Sequence, residues 1–211
     1  MSFVSTSMMG TAPRYLYLAR HGHASVDETE LSAAGRRQSV LLGERLREAP
    51  LSVIHHGPLP RAAQTAKLVS EQLDGIPVRS SALAGDYVPY LPTKQELPPE
   101  IASPTLEHLA QFPLAGSQGL AEAAVAQFTG PVDGNDARHE LVITHSFLIS
   151  WLVRDALDAP RWRWIALNHG NAALTVIRYT PNKPASVLIY NDTAHLPKDL
   201  RWTGMSPELH I

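Results

Sequence analysis

Positively charged and imidazole side chains at a few positions define the chemistry that this sequence could perform. The run RHGH at 20–23 directly follows the apolar segment RYLYLA, His145 follows the apolar segment LVIT, and Arg61 lies in the segment PLPRAAQTA. Guanidinium groups form charge-assisted hydrogen bonds with phosphate oxygens. A neutral imidazole can attack phosphorus and form a phosphohistidine. These residue types therefore predict phosphoryl transfer, in which the cations stabilise charge on the transferring oxygens.

These residues need a scaffold that brings them together, and the predicted secondary structure supplies one. Strand and helix patterns alternate, which predicts an α/β fold: a three-layer sandwich with a central, mostly parallel sheet flanked by helices. Functional sites in such sheets lie in the crevice beyond the carboxyl ends of the strands. Strands are predicted at 14–19, 51–56, 78–83, 141–144, 161–167, 172–179 and 186–190, and helices at 31–49, 60–73, 119–130 and 146–157.

The candidate residues follow strands whose ends would face this crevice. Arg20 and His21 follow the first predicted strand, and His145 follows the fourth. Arg61 lies in the first turn of the helix after the second strand. If these strands are neighbours, two arginines and two histidines converge beside a helix N-terminus, which itself favours anions. Gly22 would let the backbone approach a ligand closely, because glycine has no Cβ.

The chain is expected to form one domain over residues 14–211, preceded by a flexible tail at 1–13. Six prolines fall between 86 and 113, too many for a continuous helix or a central strand. This proline-rich insertion is predicted to be an irregular loop that forms a wall or lid over the site and selects the substrate.

The composition argues against several classes of function. Lys and Arg number 18 against 20 Asp and Glu, a net charge of −2, so no strong positive field attracts nucleic acid or an anionic membrane. Cysteine is absent, which excludes disulfides, thiolate zinc sites and a cysteine nucleophile. The sequence shows no signal-peptide pattern, and no apolar run approaches the ~20 residues that span a bilayer. A soluble, cytoplasmic protein is expected.

Four segments, in the same order, resemble the histidine phosphatase superfamily, which includes the cofactor-dependent phosphoglycerate mutases. The segments are LARHGHAS, LSAAGRRQSVLLGERL, GPLPRAAQTA and LVITHSFLISWLV, and they lie within positions 14–157. This ordered set is far more specific than the Arg-His-Gly triplet alone. The resemblance implies that His21 is the nucleophile and that no metal or other cofactor is needed. It also implies that Arg20, Arg61 and His145 bind the phosphoryl group.

The sequence departs from this family at the general acid. Family members usually carry a glutamate soon after the third strand, and this glutamate protonates the leaving group. Here Gly85 occupies that position and Asp86 follows it, with Pro89 three residues further on. Some protein-phosphatase members have the same spacing between their glutamate and a proline. Asp86 is therefore predicted to be the acid, and a site without a dedicated acid is the alternative.

Two further departures concern the phosphate and the substrate. Gly57 stands where the family tends to have serine, and His56 is predicted to replace the lost hydroxyl as a phosphate donor. Only the short segment HASVDETE separates the signature from Leu31, and it lacks the phosphoglycerate-binding elements of the mutases. This favours a phosphatase over a mutase. The expected partner is a small phosphorylated substrate or a phosphoprotein, and the oligomeric state is left open.

Three functional hypotheses result. The favoured one is a phosphatase that hydrolyses a phosphomonoester through a phosphohistidine, with activity falling at low pH as an imidazole of ordinary pKa, about 6.5, is protonated. The second is a phosphate-ester-binding or scaffold protein on the same fold, with weak or no catalysis. The third is a metallohydrolase that uses His21, His23 and a histidine at 55 or 56, but a guanidinium beside a divalent cation is repulsive.

Overall fold

The computed structural model describes residues 10–210, and each predicted motif lies on a defined element. The order along the chain is β1 (Arg14–Arg20), α1 (Ala33–Arg45), β2 (Val53–His56), α2 (Pro60–Ser70), β3 (Val78–Ser80), α3 (Pro99–Leu109), α4 (Ser117–Phe128), β4 (Arg138–Thr144), α5 (Ser146–Ala156), β5 (Leu174–Tyr179) and β6 (Ser186–Asp192). Short 3₁₀ helices at 82–84, 161–164, 198–200 and 207–209 connect or end these elements.

The six strands form one mixed sheet in the order β3-β2-β4-β1-β5-β6. The first four strands in this order are mutually parallel, whereas β5 runs antiparallel to both β1 and β6. The carboxyl ends of β1, β2 and β4 therefore meet at one edge of the sheet, as the strand–helix alternation predicts.

The helices cover both faces of the sheet because the strand side chains alternate between two apolar cores. Leu16 and Leu18 of β1 are fully buried on the face covered by α4 and α5. Leu141 and Ile143 of β4 are fully buried on the opposite face, against α1 and α2. Each such side chain contributes roughly 1.5–3 kcal/mol of apolar burial. The predicted three-layer α/β sandwich is confirmed.

The proline-rich insertion contains a helix that the sequence analysis did not predict. Pro98 caps α3 and Pro99 is its first residue, where a missing N–H costs nothing because first-turn N–H groups have no helical partner. Pro104 lies inside the helix and removes one hydrogen bond, a cost of roughly 3 kcal/mol. Burial of Ala102 and Leu109 compensates for it. Three prolines are thus compatible with one 11-residue helix.

The strand predicted at 161–167 is wrong. Residues 161–164 form a 3₁₀ turn, in which Arg163 N–H donates to the Pro160 carbonyl at 2.9 Å. Trp164 is buried, and its indole N–H donates to the Tyr90 carbonyl at 3.0 Å. The alternating Arg-Trp pattern indicated a strand, but the packing of Trp164 on the domain decides the local conformation.

The predicted flexible tail falls only partly within the described residues. Residues 1–9 lie outside them. Ala12 is 1% exposed and exchanges two backbone hydrogen bonds with Val132, at 2.8 and 3.0 Å, so residues 10–13 pack on the domain instead of forming a tail. Within residues 10–210, none of the helices combines the length and hydrophobicity that crossing a membrane requires.

Candidate active site

Two strand ends bring two of the predicted site residues together. β1 and β4 are parallel neighbours, with Arg20 paired with Thr144. The His21 N–H donates to the Thr144 carbonyl at 2.9 Å, which continues the pairing past the strand end. His21 and His145 therefore leave the sheet at the same level, and their ring centroids lie 4.9 Å apart. Both side chains are buried.

Arg61 reaches the same point from the start of α2. Pro60 is the first helical residue, which places Arg61 in the first turn. Arg61 Nε donates to His21 Nε2 at 3.3 Å. Arg61 Nη2 donates to Asp86 Oδ2 at 2.8 Å, and Nη1 lies 3.4 Å from Glu28 Oε2. A cation is unfavourable at a helix N-terminus, and these two carboxylates offset that cost.

The contacts of His21 define its proton positions. Nδ1 lies 2.8 Å from the Gly22 carbonyl oxygen, which can only accept, so we assign the proton to Nδ1 and the lone pair to Nε2. Burial, reinforced by His145 and Arg20, lowers the pKa of His21 to about 2. A neutral imidazole with an unprotonated Nε2 is the form that can attack phosphorus.

His145 is also neutral near pH 7. Burial, with the charges of Arg61 and Arg20, lowers its pKa to about 3. Neither ring nitrogen has a hydrogen-bond partner among residues 10–210. Buried polar atoms are normally satisfied, so these nitrogens are available to a ligand.

Asp86 joins the site from the segment after β3. Its Oδ2 accepts the hydrogen bond from Arg61 Nη2 and lies 3.4 Å from His145 Nδ1. The Thr144 hydroxyl donates to the Ala84 carbonyl at 2.7 Å, which attaches this segment to β4. Burial raises the pKa of Asp86, while the hydrogen bond and charge of Arg61 oppose the increase. A carboxyl that keeps its proton to higher pH suits a general acid.

Arg20 is held by the C-terminal part of the chain, which the sequence analysis missed. Its Nη1 donates to the carbonyl oxygens of His169, at 2.8 Å, and Gly204, at 2.6 Å. Gly204 has φ +76°, and a Cβ there would collide with Asn171 Oδ1 and lie 2.6 Å from Arg20 Nη1. Asn171 Nδ2 also donates to the His21 carbonyl at 3.0 Å. These residues position the guanidinium and the histidine backbone.

These groups line one cavity of about 230 Å³ at the carboxyl edge of the sheet. The first turn of α5 contributes Ser146 and Phe147. A helix N-terminus has unpaired N–H groups and a positive dipole end, so it adds to the attraction for an anion. The size and charge of the cavity suit a phosphoryl group. Its lining residues are Arg20, His21, Glu28, Arg61, Asp86, Phe112, His145, Ser146 and Phe147.

Two predicted phosphate ligands do not line this cavity. His56 Nδ1 lies 2.7 Å from the Gly57 carbonyl, and its ring is not part of the cavity wall. Gly22 serves packing instead of ligand access, because a Cβ there would lie 2.5 Å from the Gly35 carbonyl oxygen of α1. Gly57 has a similar explanation, since the Cβ of a serine would collide with the Ala84 carbonyl.

The ligand set of the metallohydrolase hypothesis is not brought together. His21 Nε2 faces the Arg61 guanidinium, whereas His23 Nδ1 is 2.9 Å from the Ser32 hydroxyl. His55 packs against Phe128, with ring centroids 5.5 Å apart. Among residues 10–210, no three His, Asp or Glu side chains are grouped closely enough to hold a metal ion.

Four cavity residues were not predicted from the sequence: Glu28, Phe112, Ser146 and Phe147. Glu28 lies in the exposed β1–α1 loop with φ +57°, and its sequence resembles an ordinary surface turn. Phe112 follows α3, in the insertion whose conformation was not predicted. Ser146 and Phe147 were the easiest of the four to predict, because they directly follow His145 in the first turn of the predicted helix.

The pKa shifts change the expected dependence of activity on pH. Since the His21 pKa is lowered to about 2 and the His145 pKa to about 3, both imidazoles stay neutral far below pH 6.5. Since the Asp86 pKa is raised, its protonated form persists to higher pH than usual and is lost as the pH rises further. We expect kcat/KM to be maintained on the acid side and to fall on the alkaline side.

The measurement is kcat/KM between about pH 4 and pH 9, corrected for the substrate's own second ionisation near pH 6. The Asp86→Asn variant should lack the alkaline decrease. An acid decrease centred near pH 6.5 after that correction would contradict the low histidine pKa values and would restore the dependence predicted from the sequence.

Comparison with known proteins agrees with this geometry. Residues 16–84 and 105–192 match the family described as the histidine phosphatase superfamily (branch 1). The serine/threonine-protein phosphatase Pgam5, mitochondrial, of Caenorhabditis briggsae is 28% identical over 204 residues, which are 92% of this chain and 68% of that protein. This chain thus spans about two thirds of the length of that relative.

Solved structures show the same fold. A mycobacterial glucosyl-3-phosphoglycerate phosphatase bound to inorganic phosphate has a TM-score of 0.56 and 26% identity, covering 87% of this chain and 100% of that one. Phosphoglycerate mutase from Plasmodium falciparum has a TM-score of 0.61 and 16% identity, and the match covers 89% of this chain and 96% of that chain. At 16% identity the second likeness concerns the fold alone.

The relatives correct one expectation. The Caenorhabditis briggsae protein and its counterparts in Rattus norvegicus and Homo sapiens are all named as mitochondrial. This contradicts the cytoplasmic location expected from the sequence, which is therefore wrong.

The family match covers most of the chain and contains all four of the cationic and imidazole residues described above, Arg20, His21, Arg61 and His145. The resemblance predicted from the four sequence segments is confirmed. This chain belongs to the histidine phosphatase superfamily, branch 1.

Proposed function

We propose that the protein is a phosphoric monoester hydrolase that acts through a phosphohistidine at His21. The observation that carries the proposal is the unprotonated Nε2 of a neutral, buried His21, whose Nδ1 is held by the Gly22 carbonyl and whose Nε2 accepts a hydrogen bond from Arg61 Nε. A phosphoryl group next to Nε2 would lie beside Arg61, and Arg20 lines the same cavity. Two permanent cations would then stabilise its oxygens.

In the first step, His21 Nε2 attacks phosphorus, the N–P bond forms, and the bond from phosphorus to the ester oxygen breaks. Asp86 donates its proton to that oxygen, which leaves as an alcohol. His145 and the arginines bind the equatorial oxygens of the transferring group. The position of Asp86, 2.8 Å from Arg61 and 3.4 Å from His145, supports this role.

In the second step, a water attacks phosphorus on the side opposite the N–P bond. The Asp86 carboxylate accepts a proton from this water, the N–P bond breaks, and inorganic phosphate leaves. His21 returns to its neutral form and Asp86 to its protonated form, so protons and charge balance over the cycle. The substrate is a small phosphorylated molecule or a phosphoprotein; the names of the relatives, serine/threonine-protein phosphatases, support the second class.

The test is a rapid-quench experiment with a ³²P-labelled phosphomonoester in the presence of EDTA. We expect labelled protein that is stable in base and labile in acid, with the label on the peptide that contains His21. Matched samples of the His23→Ala variant should also be labelled, because His23 lies outside the cavity and bonds Ser32. Turnover without a labelled histidine would contradict the mechanism, and binding without turnover would favour the scaffold hypothesis.

A further inference from the structure

A second cavity, which we call the apolar groove, adjoins the phosphate cavity. Its volume is about 410 Å³. Ser146 and Phe147, in the first turn of α5, line both spaces. The opposite walls of the groove come from α3, including Ile101 and Thr105, and from the segment 164–168. A substrate whose phosphate lies at His21 would therefore have its organic part at the entrance of this groove.

A row of aromatic rings connects the two cavities. Phe112 of the phosphate cavity packs edge-on against Phe147, with centroids 5.3 Å apart. Phe147 packs edge-on against Trp164 of the groove, at 5.1 Å. His108 of the groove packs against Phe112 in the same way, at 5.3 Å. The two phenylalanines form the apolar wall of an otherwise charged cavity, and this wall continues into the groove.

The groove has no charged wall. None of its lining residues is Lys, Arg, Asp or Glu. The Ser150 hydroxyl donates to backbone carbonyls, so it offers little to a ligand. Large apolar side chains stay exposed beside it: Ile101 is 39% exposed and Phe112 is 37% exposed. Ala166, which lines the groove, has φ +69°, a strained conformation for a residue other than glycine.

We propose that the apolar groove binds the alcohol part of the substrate, and that the preferred substrates are phosphomonoesters of apolar, uncharged alcohols. This inference rests on the proposed hydrolase function. A second anion would find no Lys or Arg in the groove, whereas an alkyl chain would exchange water for the apolar side chains that make up most of its lining. The groove, together with Phe112 and Phe147, is thus a specificity determinant.

The test compares ethyl and hexyl phosphate, whose leaving alcohols have similar reactivity. We expect kcat/KM to be at least about tenfold higher for hexyl phosphate, since each fully buried methylene is worth roughly fourfold. Thr105→Glu puts a carboxylate into the groove and should reduce this preference to about threefold or less. Ser103→Glu is the matched control, because Ser103 is on the same helix, is exposed and lies outside the groove. It should retain the preference.

Binding separates this inference from the hydrolase proposal. Calorimetry with ethyl- and hexylphosphonate, which cannot be hydrolysed at the C–P bond, should show the same preference and the same sensitivity to Thr105→Glu. If hexylphosphonate binds more tightly than ethylphosphonate but hexyl phosphate is not hydrolysed, the hydrolase proposal is contradicted and the proposed role of the groove is supported. Turnover and binding that are independent of alkyl chain length would overturn the proposal that the groove binds the alcohol part. So would a phosphothreonine peptide with polar flanks that is cleaved faster than hexyl phosphate and is insensitive to Thr105→Glu.

Discussion

Replacing His21 with alanine is expected to lower kcat by at least about 10³-fold for every phosphomonoester that the protein hydrolyses, since it removes the nucleophile and the covalent pathway. The arginines would still bind phosphate, so KM should change far less than kcat. The measurement is steady-state hydrolysis at saturating substrate, together with the rapid-quench assay, in which the labelled intermediate should disappear. The His21→Asn variant, which keeps a polar side chain but has no imidazole, should behave in the same way, which separates the lost nucleophile from the loss of a polar group.

His56→Ala is the matched control for this experiment. His56 is the last residue of the central strand β2 and was predicted to contact phosphate, but its ring does not line the cavity. We expect this variant to retain wild-type kcat within about threefold, the range of an ordinary surface substitution. Activity of His21→Ala within tenfold of the wild type, in a protein with unchanged thermal unfolding, would contradict a nucleophilic role for His21.

The strand ends of the site could be predicted from the sequence because parallel pairing leaves little freedom. Once β1 and β4 are neighbours, the residues that follow them, His21 and His145, must leave at the same edge. Pro60 similarly fixes the start of α2 and with it Arg61. These predictions use local patterns and one topological rule, so they do not depend on the conformation of any loop.

Prediction failed where long-range packing decides the local structure. Pro104 argued against a helix, but the burial of Ala102 and Leu109 stabilises α3 around it. The alternation at 161–164 argued for a strand, but the buried Trp164 requires a 3₁₀ turn. Because α3 and this turn form two walls of the apolar groove, no local pattern could have predicted the groove.

In the charged site too, some residues could be predicted from local sequence patterns and others could not. Asp86 was predicted from its spacing to Pro89, and the structure places its carboxylate against Arg61. Glu28 also pairs with this guanidinium, but an exposed polar loop gives no register from which to predict this contact. The strand pattern located His56 correctly at the end of β2, but it could not show that the His56 ring lies against the Gly57 carbonyl and not in the cavity wall.

Replacing Asp86 with asparagine is expected to lower kcat for alkyl phosphates by about 10²–10⁴-fold, the usual contribution of general acid catalysis. An alkoxide leaves poorly without a proton, and the amide of the introduced asparagine cannot supply one. p-Nitrophenolate is a stable anion that leaves without protonation, so hydrolysis of p-nitrophenyl phosphate should fall by less than about tenfold. The measurement is the ratio of kcat for the two substrates in the wild type and the variant. The asparagine can still accept a hydrogen bond from Arg61, so the geometry of the guanidinium is retained.

Glu28→Gln provides the control that separates proton donation from contact with Arg61. Glu28 and Asp86 both contact Arg61, so either substitution replaces a carboxyl group beside the same guanidinium with an amide. The effect on Arg61 should therefore be similar in both variants, whereas the leaving-group dependence should be confined to Asp86→Asn. Equal losses for alkyl and p-nitrophenyl phosphate in Asp86→Asn would mean that Asp86 acts only by positioning Arg61. A strong leaving-group dependence in Glu28→Gln would assign the acid to Glu28 instead, because it is then the carboxyl whose proton the departing alkoxide needs.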